Sequence, residues 1–255
     1  MMSPQRPYAI WVAFYLLFVA LPDLSHAISE VPEPVNGTSF LEEAETLVYS
    51  RTGTDRAIFR LLDRAADRFR AITDVQTREY WLARVELLRA IRYNQFERSR
   101  DAEPAISAGF DHIEHALEYG VFSDGLRVRA DLHSQMMLAK GLIYMIRNGN
   151  EARDAALDAL ERAPRSVKAK ISVAGFLLNA PPMAGGDPEQ ARLVLESALA
   201  EEPVSDNDRF LILGWLAQAS HTLDDDEAAE QYYAEALAMY PESEWLASIG
   251  EEITE

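Results

Sequence analysis

A helical phrase that recurs three times in the second half of the chain constrains the fold more than any other feature. It reads EARDAALDALERAP over Glu151–Pro164, PEQARLVLESALAEEP over Pro188–Pro203 and DEAAEQYYAEALAMYP over Asp226–Pro241. Small residues alternate with larger apolar ones at helical spacing, and a proline closes each unit. The closing prolines, Pro164, Pro203 and Pro241, stand 39 and 38 residues apart. A period of that size, built of helix pairs, predicts an α-solenoid in which each unit buries its apolar face on its neighbours.

From Ser39 onward the chain reads as helix, turn, helix. The first pair is Ser39–Ser50 and Asp55–Ile72, across the turn Arg51-Thr52-Gly53-Thr54. Ile58, Leu61, Leu62, Ala65 and Phe69 fall on one face of its second helix. The second pair is Gln76–Phe96 and Glu103–Tyr119, broken by the polar stretch Glu97–Ala102 and closed by Gly120 as a C-cap. Trp81, Val85, Leu88 and Ile91 form the buried stripe there. The third pair is Gly125–Asn148 and Glu151–Ala163, with Asn148-Gly149-Asn150 as its turn. The fourth is Arg165–Asn179 and Pro188–Glu201, the fifth Asp206–Thr222 and Asp226–Tyr240. A last helix, Ser243–Glu251, covers the open end. No stretch alternates with period two, so the predicted class is all-α.

In the fifth pair, Leu213, Leu216 and Ala217 on one helix and Ala229, Tyr233 and Ala236 on the next, closed by Pro241, carry a specific spacing. Alanines let the two backbones approach while the larger side chains fill the layer between them. This resembles a tetratricopeptide repeat (TPR). The fourth pair repeats it with Ala191, Leu195, Ala198 and Pro203 but a longer inter-helix loop, and the third with Ala152, Ala156, Ala159 and Pro164. The first two pairs depart further. The resemblance implies a right-handed solenoid of about five TPR-like pairs over residues 39–255. The loop Asn179–Asp187 (NAPPMAGGD), leading into a proline-started helix, is similar to a variant in exported bacterial TPR-like proteins. Among them is the T-component family associated with tripartite (TRAP-type) periplasmic transporters. That likeness implies a small apolar ligand, or a periplasmic solute-binding protein, as partner.

The chain opens with Arg6, an apolar run from Tyr8 to Leu21, then Pro22 and Ser25-His26-Ala27. That order predicts a secretory signal over residues 1–27, cut after Ala27 and followed by an acidic linker over 28–38. The run holds about 14 residues, short of the ~20 that span a bilayer. The expected location is the periplasm, with membrane contact only if the segment is kept as an anchor. Removing it takes away one base and one acid, so the net charge stays −18. Such a surface repels phosphate backbones, which excludes nucleic acid as partner and fits a protein or peptide partner instead. With no cysteine there is neither disulfide nor thiolate chemistry.

No residue pattern specifies a reaction. Gly185-Gly186-Asp187-Pro188 could present a helix N-terminus to an anion, but Asp187 as a cap and Pro188 as first helical residue account for it. Asp224-Asp225-Asp226-Glu227 lacks the spaced ligands and glycine of a calcium loop and reads as helix capping. His112 and His115 share a helix face three residues apart and could meet one metal, with His133 a conceivable third ligand. That spacing is not that of a zinc protease, and a solvated helix face explains them. Trp81, Tyr144, Trp215 and Tyr233 read as core, while Tyr80, Tyr93 and Tyr232 flank those stripes and are expected at the surface. No catalytic, metal or cofactor-binding residue is assigned. In a solenoid the first helices of each pair line the concave face, which places Arg84, Arg92, Gln135, Lys168, Ser172 and Gln218 as partner contacts. The sequence therefore reads as a non-catalytic exported scaffold that holds a protein or peptide in its groove. The alternative is a periplasmic small-ligand-binding component of a TRAP-type transporter.

Overall fold

The computed structural model describes residues 37–254, so the expected signal and all but the end of the linker lie outside the described residues. Within them the chain forms α1 (Thr38–Tyr49), α2 (Asp55–Phe69), α3 (Val75–Asn94), α4 (Ser99–Glu118), α5 (Ser123–Lys140) and α6 (Leu142–Arg162). There follow α7 (Val167–Asn179), a short 3-10 turn (Pro182–Ala184), α8 (Pro188–Leu199), α9 (Asp206–Thr222), α10 (Asp226–Met239) and α11 (Glu244–Thr254). No strand is present among the described residues.

Local chemistry sets these limits. Thr54, Asp74, Ser166, Asp187, Ser205 and Asp225 each turn a side-chain oxygen onto a backbone N–H of the first turn that follows. At the other end, α6, α8 and α10 all stop within four residues of Pro164, Pro203 and Pro241, since proline cannot extend a helix. Every intra-pair turn contains a residue with positive φ: Arg51 (53°) and Gly53 (74°) in the first, then Glu97 (55°), Gly141 (75°), Gly185 (95°) and Asp224 (58°). In four of them the next N–H reaches back five residues: Thr52 to Leu47 O (3.0 Å), Arg98 to Tyr93 O (3.0 Å), Gly186 to Pro181 O (3.1 Å) and Asp225 to Ser220 O (2.9 Å). That bond satisfies carbonyls left open at a helix end and reverses the chain.

Three readings of the sequence need correction. Asn148-Gly149-Asn150 lies inside α6, because Gly141 already breaks the chain, its N–H held by Met137 O at 2.8 Å. Asn148 spends its side-chain amide on Tyr144 O one turn back (3.0 Å), which supports the helix rather than a turn. The polar break after α3 is shorter than Glu97–Ala102, since α4 starts at Ser99 and carries Pro104 near its start, leaving the carbonyl of exposed Arg100 without that N–H. Tyr80, expected at the surface, is 1% exposed; its ring stands edge-on to Trp81 and Phe122.

The apolar faces pack as the periodicity predicts. Ile58, Leu61, Leu62, Ala65 and Phe69 are buried with Trp81, Val85 and Leu88 in one cluster. Ala191, Leu195 and Ala198 pack with Ala155, Ala156 and Leu216 in a second, and Leu213, Ala217, Ala236 and Leu246 form a third. Each fully buried Leu or Ile contributes roughly 1.5–3 kcal/mol. Successive first helices, α1, α3, α5, α7 and α9, touch in order, and α9 then touches α1 again. The concave face is therefore no open trough. Asn207 of α9 donates to Thr46 Oγ1 of α1 (3.0 Å), and Lys168 of α7 stands 3.8 Å from Glu45 of α1, so the solenoid closes into a ring.

Candidate functional site

The ring surrounds a half-open chamber of about 490 Å³. Its wall is drawn from all five inner helices: Tyr49 from α1, Ile91 and Asn94 from α3, Asp131 and Met137 from α5, Ser172 and Phe176 from α7, Leu211 and Trp215 from α9. The α9–α11 contact brings in Trp245, and the loop after α7 adds Ala180 and Ala184. Four of the six contacts read from the sequence, Gln135, Lys168, Ser172 and Gln218, line it. Arg84 and Arg92 stand elsewhere. Arg84 is held by Glu45 (3.0 Å), and Arg92 by Asp55 (2.8 Å) and Gly53 O (3.1 Å). They tie α3 to the first pair and are not among the lining residues.

Two ion networks border the chamber. Lys168 donates to Asp208 (2.8 Å) beside Glu45, and Arg127 donates to Asp131 (2.6 Å), which also accepts from Ser172 (2.6 Å). Burial acts to raise the Glu45 pKa, but Lys168, Arg84 and Arg127 together outweigh it and hold the carboxyl at about 2. For Asp131 burial wins: its pKa lies above the ordinary range although Arg127 and Ser172 pull it down. Burial likewise lifts the Tyr49 phenol well above its usual value, with Glu45 adding to it. Beyond these charges the wall is apolar and aromatic, and amides stand at the helix ends: Asn94 donates to the Gln135 side chain (3.0 Å) and Gln95 to Val48 O (2.8 Å). Two of its cations, Lys168 and Arg127, are neutralised by fixed carboxylates, and its serines are committed to Asp131 and Ala130 O. A second, more open concavity of about 480 Å³ gathers at the start of α7, between Asp124, Ser166 and Pro203, and Lys168 borders both.

No protein-family model matches the sequence, and no curated protein matches it. Among solved structures, a thermophilic TPR protein of Thermus thermophilus superposes with a TM-score of 0.57. It is 17% identical, and the match covers 86% of this chain and 100% of that one. The fold is that of a TPR-like solenoid. An architecture of this kind presents side chains on a preordered helical surface.

The other candidates take ordinary places in the TPR-like framework. His112 Nδ1 meets Glu79 at 2.6 Å and His115 Nδ1 lies 3.9 Å from the same carboxylate. His133 packs edge-on to Phe110, 3.6 Å from Glu151. No group of three or more metal-ligating side chains converges among the described residues. Asp187 caps α8 through Gln190 N (3.0 Å), and a Cβ on Gly186 would overlap the Ala180 carbonyl, so the loop requires glycine there. Asp225 caps α10 and accepts from Arg192 (3.0 Å). Among the described residues no helix is long and apolar enough to cross a membrane.

Sequence reasoning missed several wall residues. Trp215, read as core, forms part of the wall, and Trp245 and Arg51 had no pattern to mark them. One signal was available. Leu132–Asn150 holds no acid, in a chain with 42 of them. This stretch supplies Ser134, Gln135, Met137, Leu138, Met145 and Gly149 to the chamber.

Proposed function

We propose that this chain is a non-catalytic, exported, TPR-like binding protein whose interior, rather than an outer groove, receives its partner. The observation that carries the reading is the contact of α9 with α1, which turns a row of inner helices into a ring around about 490 Å³. A preordered, largely apolar wall with a few fixed polar groups is the usual build of a ligand site. The first occupant considered is an apolar segment of a protein partner. The second is a small molecule, as for a ligand-binding component of a TRAP-type transporter. Ring closure favours a segment or a small molecule over a folded partner, which would have to part the α1–α9 seam to reach the chamber. The signal-like residues 1–27 support export.

Native mass spectrometry of the chain recovered from its own periplasm tests this. A polypeptide adduct lost in Gln218→Trp, which fills the chamber, supports the scaffold. A small-molecule adduct lost in the same variant supports the ligand reading. An adduct unaffected by the filled chamber refutes both.

A further inference from the structure

The charges around the chamber do not balance evenly. Lys168 and Arg127 are each held by a carboxylate, at 2.8 and 2.6 Å. Arg51 also lines the chamber, half-buried, and makes no ion pair among the described residues. Burial pulls its pKa down; Glu244 acts on it from beyond ion-pair distance and Arg92 opposes. Arg92 cannot offer its own acid, because Asp55 already serves it and Arg98 (2.8 and 2.9 Å). Of the six positive-φ residues in these turns, Arg51 alone has a side chain in the chamber wall. Glycine or asparagine would hold that backbone with less strain, so the arginine runs against local preference. The same chamber is bordered by the acid-free stretch Leu132–Asn150, which carries Lys140 and Arg147. On a chain of net charge −18, this stretch adds no carboxylate of its own to the wall, where Asp131 and Asp208 are each paired with a cation. An anion approaching it meets less repulsion than elsewhere.

We infer that the chamber takes an amphipathic organic acid, its carboxylate paired with Arg51 and its apolar body against Phe176, Trp215 and Trp245. The inference rests on the chamber being the binding site. A guanidinium gives a carboxylate two parallel hydrogen bonds, and the aromatic wall removes the apolar body from water. The ligand relieves the one lining cation that makes no ion pair among the described residues.

Two of the three described tryptophans border the chamber, so their emission reports occupancy. The intact chain is titrated with octanoate, 1-octanol and octyltrimethylammonium. Octanoate is expected to bind at least about tenfold tighter than octanol, a difference of roughly 1.4 kcal/mol, and the cation weakest. Arg51→Asn, which suits the left-handed backbone, is expected to erase that preference and leave octanol affinity unchanged; Arg51→Lys keeps part of it. N-acetyl-leucylleucine against its amide tells a free acid from a chain end as the source. Equal binding of acid and alcohol, or a preference that survives Arg51→Asn, overturns the inference while leaving the chamber as a site. If no probe alters the emission, the chamber reading itself fails.

Discussion

Glu45 is the residue whose removal most directly tests how the ring is held. It sits on α1, 8% exposed at its side chain, with Arg84 of α3 at 3.0 Å and Lys168 of α7 at 3.8 Å. One carboxylate thus joins three inner helices across the seam. Its pKa is about 2 in the folded chain against an ordinary 4.5. Because the folded value is the lower one, the stabilisation is complete above pH 4.5 and is lost as pH falls toward 2. At about 1.4 kcal/mol for each pH unit, Glu45 in its charged form contributes on the order of 3 kcal/mol. Breaking a buried pair by removing one partner costs a similar 3–5 kcal/mol or so. Glu45→Gln keeps the shape and an acceptor for Arg84 but removes the charge. It is expected to lower stability at pH 7 by about 3 kcal/mol, a fall in melting temperature of roughly 6–12 °C for a chain of this size. Urea unfolding of both proteins from pH 7 to pH 2.5 is the assay. The gap between them should close below pH 4.5 as the wild-type carboxyl takes its proton. Parallel curves, or a variant as stable as wild type at pH 7, would refute the argument that Glu45 is ionised and bridging.

Gly149→Ala is expected to stabilise by about 1 kcal/mol, because the residue is mid-helix with nothing within 4 Å of an added Cβ; a loss in thermal melting would restore the turn that the sequence suggested. Gly214→Leu should cost roughly 1–3 kcal/mol, since even a Cβ there would meet the Trp245 ring at 2.5 Å, and its near-ultraviolet dichroism should show α11 displaced. Ala236→Trp, at a position fully buried between α9 and α10, should cost a similar 1–3 kcal/mol or more, read by the same melt. Thr46→Cys with Asn207→Cys, in a chain with no other cysteine, should be joined within one molecule by a short bis-maleimide, which alkylates both thiols. The bridge should raise stability by about 4–5 kcal/mol; failure to bridge would mean that the α1–α9 seam is open.

What was legible in the sequence was whatever a single helix or a neighbouring pair decides. Ala191, Leu195 and Ala198 announce a buried face by spacing alone, and Asp187 before Pro188 announces a cap. The third pair shows where such reading misleads. Asn148-Gly149-Asn150 has strong turn chemistry, yet it stays helical because Gly141, seven residues earlier, ends α5 with its positive φ. Propensity names the residues able to turn; it does not say which of two candidates the packing will use. Tyr80 escaped for a related reason, since its burial depends on Phe122 from the following pair.

The ring itself belongs to a different order of information. Each pair is rotated on the last by an amount set at its own interface, and only the sum over five pairs brings α9 back to α1. No window of sequence contains that sum. The residues that stabilise closure, Glu45, Lys168 and Asp208, are separated by 123 and 40 positions and fall in no motif. Closure also explains why the six predicted contacts divide as they do. Gln135, Lys168, Ser172 and Gln218 line the chamber because their helices pass it. Arg84 and Arg92 sit on the same kind of helix, but acids of the first pair draw both guanidiniums sideways into the joint. In a −18 chain a cation near the axis finds an acid almost anywhere, so the telling cation is Arg51, which among the described residues makes no ion pair.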